Sequence, residues 1–138
     1  MSDLKCPFSV VLAAASAHCR HAREVVRRGG VEYDCTVPGA HAVCHELAEH
    51  LKARALPALG HEDDLTVTPK SVYERILLGG VQGLGAAGDG LDPADATADI
   101  WTTVDAARRR HGAVAAIPDD AFIPAIEACT LRKRRRRT

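Results

Sequence analysis

The chain is poor in aromatic residues. Its 138 positions hold one Trp, two Tyr and two Phe. Apolar residues nevertheless make up 46%, so the core must be built from Ala, Val, Leu and Ile. That balance belongs to a globular chain rather than a disordered one. Paired cysteines are also missing. Cys6, Cys19, Cys35, Cys44 and Cys129 include no two at metal-finger spacing, and an odd count argues against a closed disulfide framework. No apolar run is long enough to span a membrane. Net charge is zero, with 18 cations against 18 carboxylates.

The even charge hides an uneven distribution. Six of the cations lie at Arg132, Lys133, Arg134, Arg135, Arg136 and Arg137. The rest of the chain keeps 12 against 18, a net of −6. A basic run at 132–138 reads as a solvated, disordered tail. Its sharper reading is a tether to an acidic surface or nucleic acid. At the other end, Phe8 to Ala15 is apolar, and Ala15, Ser16 and Ala17 resemble a cleavage site. Met1 to Lys5 carries no net positive charge, so the run is expected to be a buried strand and the protein intracellular, in cytoplasm or organelle, and not secreted.

Local signals then give an order of elements. Residues 8–15 read as a strand buried on both faces. Ser16 offers an N-cap for a helix from Ala17 to Arg28, stopped by Gly29. Val31 to Val37 reads as a strand, and a helical crossover makes the two strands parallel. Pro38 and Gly39 turn the chain. A helix over 40–55 buries Ala40, Val43, Leu47 and Leu51, with Cys44 beside that stripe. Residues 69–78 fit either a helix begun by Pro69 or a hairpin with strands near 70–74 and 76–78. Gly79, Gly80 and the glycines of 83–90 read as breakers. Asp92 and Pro93 start a helix that runs to about Arg110 and stops at Gly112. A last helix follows Asp119 and Asp120 and carries Ile123, Ile126 and Leu131.

Three stretches, taken in order, resemble glutaredoxins. Ser16 to Tyr33 aligns with the active-site turn, Cys19 falling on its second cysteine and Ala22 on the alanine that follows. Pro69, Val72, Tyr73, Leu78, Gly79 and Gly80 fit the next motif without a gap, and Gly88 to Leu91 fits the helix that closes the domain. The resemblance favours the hairpin at 70–78. It implies an α/β, thioredoxin/glutaredoxin-like fold with a four-stranded mixed sheet flanked by helices. The domain would span 1–92, with a helical extension at 93–131 and the basic tail at 132–138.

The same resemblance places the site. Ser16 stands where the family has its nucleophilic cysteine, and a serine without a base cannot attack a disulfide. Cys19 takes the place of the resolving cysteine, where a helix N-terminus would lower its pKa. Thr68, Pro69, Gly79, Gly80 and Gln82 match the glutathione-binding positions, with a cis peptide between Thr68 and Pro69. Two functions follow. One is a degenerate, non-catalytic binding or assembly subunit of a larger complex, docking through residues 93–138. The alternative is a monothiol-like thiol–disulfide oxidoreductase using glutathione and Cys19. A zinc site is a further candidate, because His18, Cys19, His21, Cys35, His41, Cys44 and His45 crowd the first third. His41 and His45 face away from the Cys44 stripe, so the histidines read as solvated. No metal site is expected, and Cys6, Cys35, Cys44 and Cys129 are left without a role.

Overall fold

In a computed structural model of the chain, residues 4–13, 18–28, 30–64, 66–89 and 99–129 are described. The elements are α1 (Ser9–Ala13), β1 (Ala22–Arg27), β2 (Gly30–Cys35), α2 (Pro38–Ala58), α3 (Lys70–Asp89), α4 (Ile100–His111) and α5 (Ile123–Ala128). Short 3₁₀ turns at Val114–Ala116 and Asp119–Ala121 join the last two helices.

The expected four-stranded mixed sheet is absent among the described residues. The sheet has two antiparallel strands, β1 and β2, paired from Ala22 opposite Cys35 to Arg27 opposite Gly30. The segment expected as a helix over 17–28 therefore contains a strand. Val25 and Val26 are β-branched and suit the pleat. Two residues separate the paired ends, and Gly30 takes a φ of 118° that only glycine adopts readily. The expected strand at 8–15 is also replaced. Residues 9–13 form α1, while 14–17, Ser16 among them, lie outside the described residues. The strand expected at 31–37 stands at 30–35. Alongside it, Cys6 N–H donates to the Tyr33 carbonyl at 2.8 Å and Cys35 N–H to the Leu4 carbonyl at 2.6 Å.

The second correction is α3. Residues 70–78 are continuous helix, not a hairpin, and no described peptide bond is cis, the Thr68–Pro69 bond included. Gly79, Gly80 and Gly83, expected as breakers, lie inside this helix as packing surface. A Cβ on Gly79 would stand 2.7 Å from Ile126 Cα, and one on Gly83 would stand 2.8 Å from Ala125 Cβ. A Cβ on Gly80 would meet Leu51 Cδ1 at 2.6 Å. The glycines thus let α5 and α2 approach the α3 backbone closely. Their low helix propensity, about 1 kcal/mol each relative to Ala, is outweighed by that contact.

Helix α2 runs longer than the expected 40–55, with Pro38 in its first turn. For the expected helix over 93–110, the described part begins at Ile100 and ends at Gly112, whose φ of 85° makes a left-handed stop. Residues 90–98 and 130–138 lie outside the described residues, and so does the basic run. Phe8, Leu47, Leu51, Ile76, Val81, Ile100, Phe122 and Ile126 are all fully buried in one core. Helices α4 and α5 therefore share their apolar faces with α2 and α3. No helix among the described residues is long and apolar enough to cross a membrane.

Asp99 joins the N-terminal segment to this helical body. Its carboxylate caps α4 by accepting from Thr102 N–H at 3.0 Å. It also accepts from Arg20 N–H at 2.8 Å and Arg20 Nε at 3.0 Å. Partial burial pulls the Asp99 pKa up, but the hydrogen bonds from Thr102 and Arg20 together hold the carboxyl below its usual range.

Two predictions follow from this packing. Gly79→Ala is expected to lower stability by about 1–2 kcal/mol through overpacking, whereas Gly39→Ala, where nothing lies within 4 Å of the new methyl, raises it by about 0.5–1 kcal/mol. Urea unfolding of the two variants checks the opposite signs. Asp99→Ala is expected to cost about 1–2 kcal/mol at neutral pH. Because the folded-state pKa is lowered, that contribution is present above the ordinary carboxylate range and fades as pH falls through the lowered value. The gap between parent and variant midpoints should therefore close in acid; an unchanged gap would refute the assignment.

Candidate functional site

The residues expected to form a glutathione site do not meet. Thr68 is buried just before α3, its hydroxyl donating to the Glu62 carbonyl at 2.5 Å. Pro69 is exposed beside it. Gly79 and Gly80 are covered by α5 and α2, and Gln82 is half-buried on the same helix. Cys19 lies elsewhere, in the turn between α1 and β1.

What surrounds Cys19 is other cysteines. Cys6, Cys19, Cys35 and Cys44 line one pocket together with Ile100 and Trp101. Each comes from a different part of the chain. Cys6 lies on the segment that pairs with β2, Cys19 precedes β1, Cys35 ends β2, and Cys44 sits on the inner face of α2. Cys6 and Cys44 are buried, Cys19 and Cys35 half-buried, and all four are free thiols. Ionising any one of the four would be opposed by charge on the others. Cys129 does not line the pocket; it lies half-buried where α5 meets α3.

Backbone donors point at two of the sulfurs. Cys6 accepts a hydrogen bond from the Phe8 backbone. Cys19 accepts from the backbone of His21 and of Trp101. The Trp101 amide is one of the unpaired donors of the first turn of α4, so Cys19 does sit at a helix N-terminus, though of a different helix from the expected one. The Ile100 N–H donates to the His18 carbonyl at 2.9 Å, and the His21 ring lies 5.7 Å from that of Trp101. The loop bearing Cys19 is thereby pinned onto α4.

The thiols are proton-holding. Burial pushes Cys6 up to about 11, with its hydrogen bond and the neighbouring sulfurs as smaller effects. Burial likewise raises Cys44, and the three other cysteines add to the rise. For Cys19, burial outweighs the two backbone hydrogen bonds, so its pKa is raised rather than lowered. An active-site nucleophile needs the opposite.

The pocket is mostly apolar, with a cavity of about 10 Å³, which is about the room of one water. A tripeptide such as glutathione does not fit inside. Among the described residues, no group of three or more His, Cys, Asp or Glu side chains could hold a metal ion. His41 and His45 stack on each other at 6.3 Å, and His41 Nε2 pairs with the Lys5 carbonyl. Neither lines the pocket.

In sequence, Cys19, Cys35 and Cys44 stand among several histidines, and Cys6 stands apart from them. The available signal was the restriction of four of the five cysteines to residues 6–44. With this geometry in hand, comparison with known proteins adds nothing: no protein-family model, curated protein or solved structure matches the chain.

With its pKa raised, Cys19 carries less thiolate at neutral pH than an ordinary thiol. Iodoacetamide is expected to modify it more slowly than it modifies free cysteine at pH 7, as peptide mapping by mass would show. Faster reaction would mean an activated nucleophile and would restore the redox reading.

Proposed function

We propose that the chain is a non-catalytic binding or assembly module. One observation carries this reading: Cys19, the thiol that a redox catalyst would use, is half-buried with its pKa raised, and Thr68, Pro69, Gly79, Gly80 and Gln82 lie apart from it, on or beside α3.

The alternative, a thiol–disulfide oxidoreductase using Cys19, has the raised pKa of that thiol against it. Glutathione chemistry has the size of the pocket against it. The five cysteines are free thiols, which supports an intracellular location. The run Arg132–Arg137 supports contact between the module and an acidic partner surface, screened by salt.

A glutathione-dependent disulfide reductase assay tests the proposal. A rate near background is expected; a rate typical of dithiol reductases that Cys19→Ser abolishes would overturn it.

A further inference from the structure

We infer that two copies of this chain pair through the free edge of β1 and join their hairpins into one four-stranded sheet, whatever chemistry Cys19 has or lacks. Three features of the hairpin carry the inference.

The first is an open edge. In an antiparallel pair, residues directly opposite each other turn their main-chain groups either both inward or both outward. On β2, Tyr33 and Cys35 turn theirs outward. The Tyr33 N–H donates to Ser9 Oγ at 3.1 Å, its carbonyl accepts from the Cys6 N–H, and the Cys35 N–H donates to the Leu4 carbonyl. Glu24 stands opposite Tyr33, and Val26 opposite Val31, two places along the same ladder. Glu24 and Val26 therefore turn their main-chain groups away from β2, along the other edge of the sheet. Among the described residues, no hydrogen bond reaches those groups. The outer edge of β2 is covered and that of β1 is not, so the sheet can grow in one direction.

The second is what this edge presents. Sheets guard an exposed edge with lysine, proline or a bulge. The six residues of β1 include neither lysine nor proline, and they pair with β2 without a bulge. Val26 is 76% exposed and Val31 is 45% exposed, directly opposite each other on the outer face. A β-branched pair of this kind suits a further strand beside it.

The third is charge, which selects the partner and the register. A two-fold axis perpendicular to the sheet and beside Val26 sets that residue against its own copy. It also sets Glu24 against Arg28 of the partner copy, twice over. Glu24 and Arg28 are both exposed. In this register the outward groups of Glu24 and Val26 fall at hydrogen-bonding pairs, and the Val26 and Val31 pairs of the two chains form one row across the sheet. The neighbouring registers oppose like charges. Centring on Glu24 sets that carboxylate against itself, and centring on Val25 sets position 23 against position 27, both arginine in sequence. The strand is thus complementary to itself in one register. The two-fold pairing uses up both open edges, so assembly stops at two copies.

Sedimentation equilibrium of the full chain tests this, with dithiothreitol present to exclude disulfide-linked pairs. The parent should behave as a reversible dimer. Glu24→Arg and Arg28→Glu should each raise the dissociation constant about tenfold or more, with far-ultraviolet circular dichroism unchanged. Mixed in equal amounts, the two variants should regain the parent affinity, because each chain then meets opposite charge at both contacts. That rescue also shows that both variants fold. A parent that stays monomeric would overturn the pairing, and that measurement needs no variant. So would species larger than the dimer, a dimer indifferent to both reversals, or a mixture no tighter than its separate components. None of these outcomes alters the expected reductase rate.

Discussion

Asp99 is the point on which the rest of the arrangement depends. Its carboxylate caps α4 and, 79 residues away in sequence, holds the backbone and side chain of Arg20. The Arg20 guanidinium extends the tie to the Thr102 hydroxyl at 2.8 Å. An N-cap is a local device, worth about 1 kcal/mol to its own helix. Here the same two oxygens also order a loop of little regular structure. Without that tie, Cys19 would sit on a short connection with few buried contacts. With it, the Cys19 sulfur is brought against the first amides of α4, and Trp101 covers the pocket from the same turn.

The helical body supplies a rigid wall for this loop. It is rigid because α3 is thin. At Gly79 and Gly83 the α5 backbone and side chains stand where side chains of α3 would be, and at Gly80 Leu51 of α2 does so. Close approach multiplies dispersion contacts, and a core short of aromatic rings needs that gain. The same glycines misled the local reading. A run of glycines reads as a break because glycine is costly in an isolated helix, and only the neighbouring helices make it favourable. The glutaredoxin-like motif from Pro69 to Gly80 failed for this reason: its residues match in order, but they serve helix packing.

Other parts were legible because their signals are local. Gly112 ends α4 where a left-handed residue after a run of Arg and His is expected. The apolar stripe of Ala40, Leu47 and Leu51 identifies the buried face of α2. The Arg27–Gly30 step shows where local reading divides. Cations followed by glycine end a helix, but a two-residue reversal with glycine also closes a hairpin. Val25 and Val26, facing opposite sides of β1, belong to the second case. What decides is pairing with β2, and β2 is itself held on its other edge by Leu4–Cys6.

The cysteine ring was illegible for a further reason. A metal knuckle is a local motif, visible as spacing. A ring assembled from a pairing segment, a loop, a strand end and a helix face has no spacing to find. Its geometry comes from three tertiary facts: the Leu4–Cys6 pairing, the Asp99 tie, and the packing of α2 beneath them. This also bears on why the N-terminal part holds its shape. A two-stranded hairpin is at best marginal in water on its own, and Val26 on β1 is 76% exposed, so the hairpin draws little from the core on its outer face. Its support comes from the Leu4–Cys6 segment on the other edge of β2 and from the Asp99–Arg20 tie just before β1, so the hairpin holds its shape through the elements packed around it rather than through its own strands.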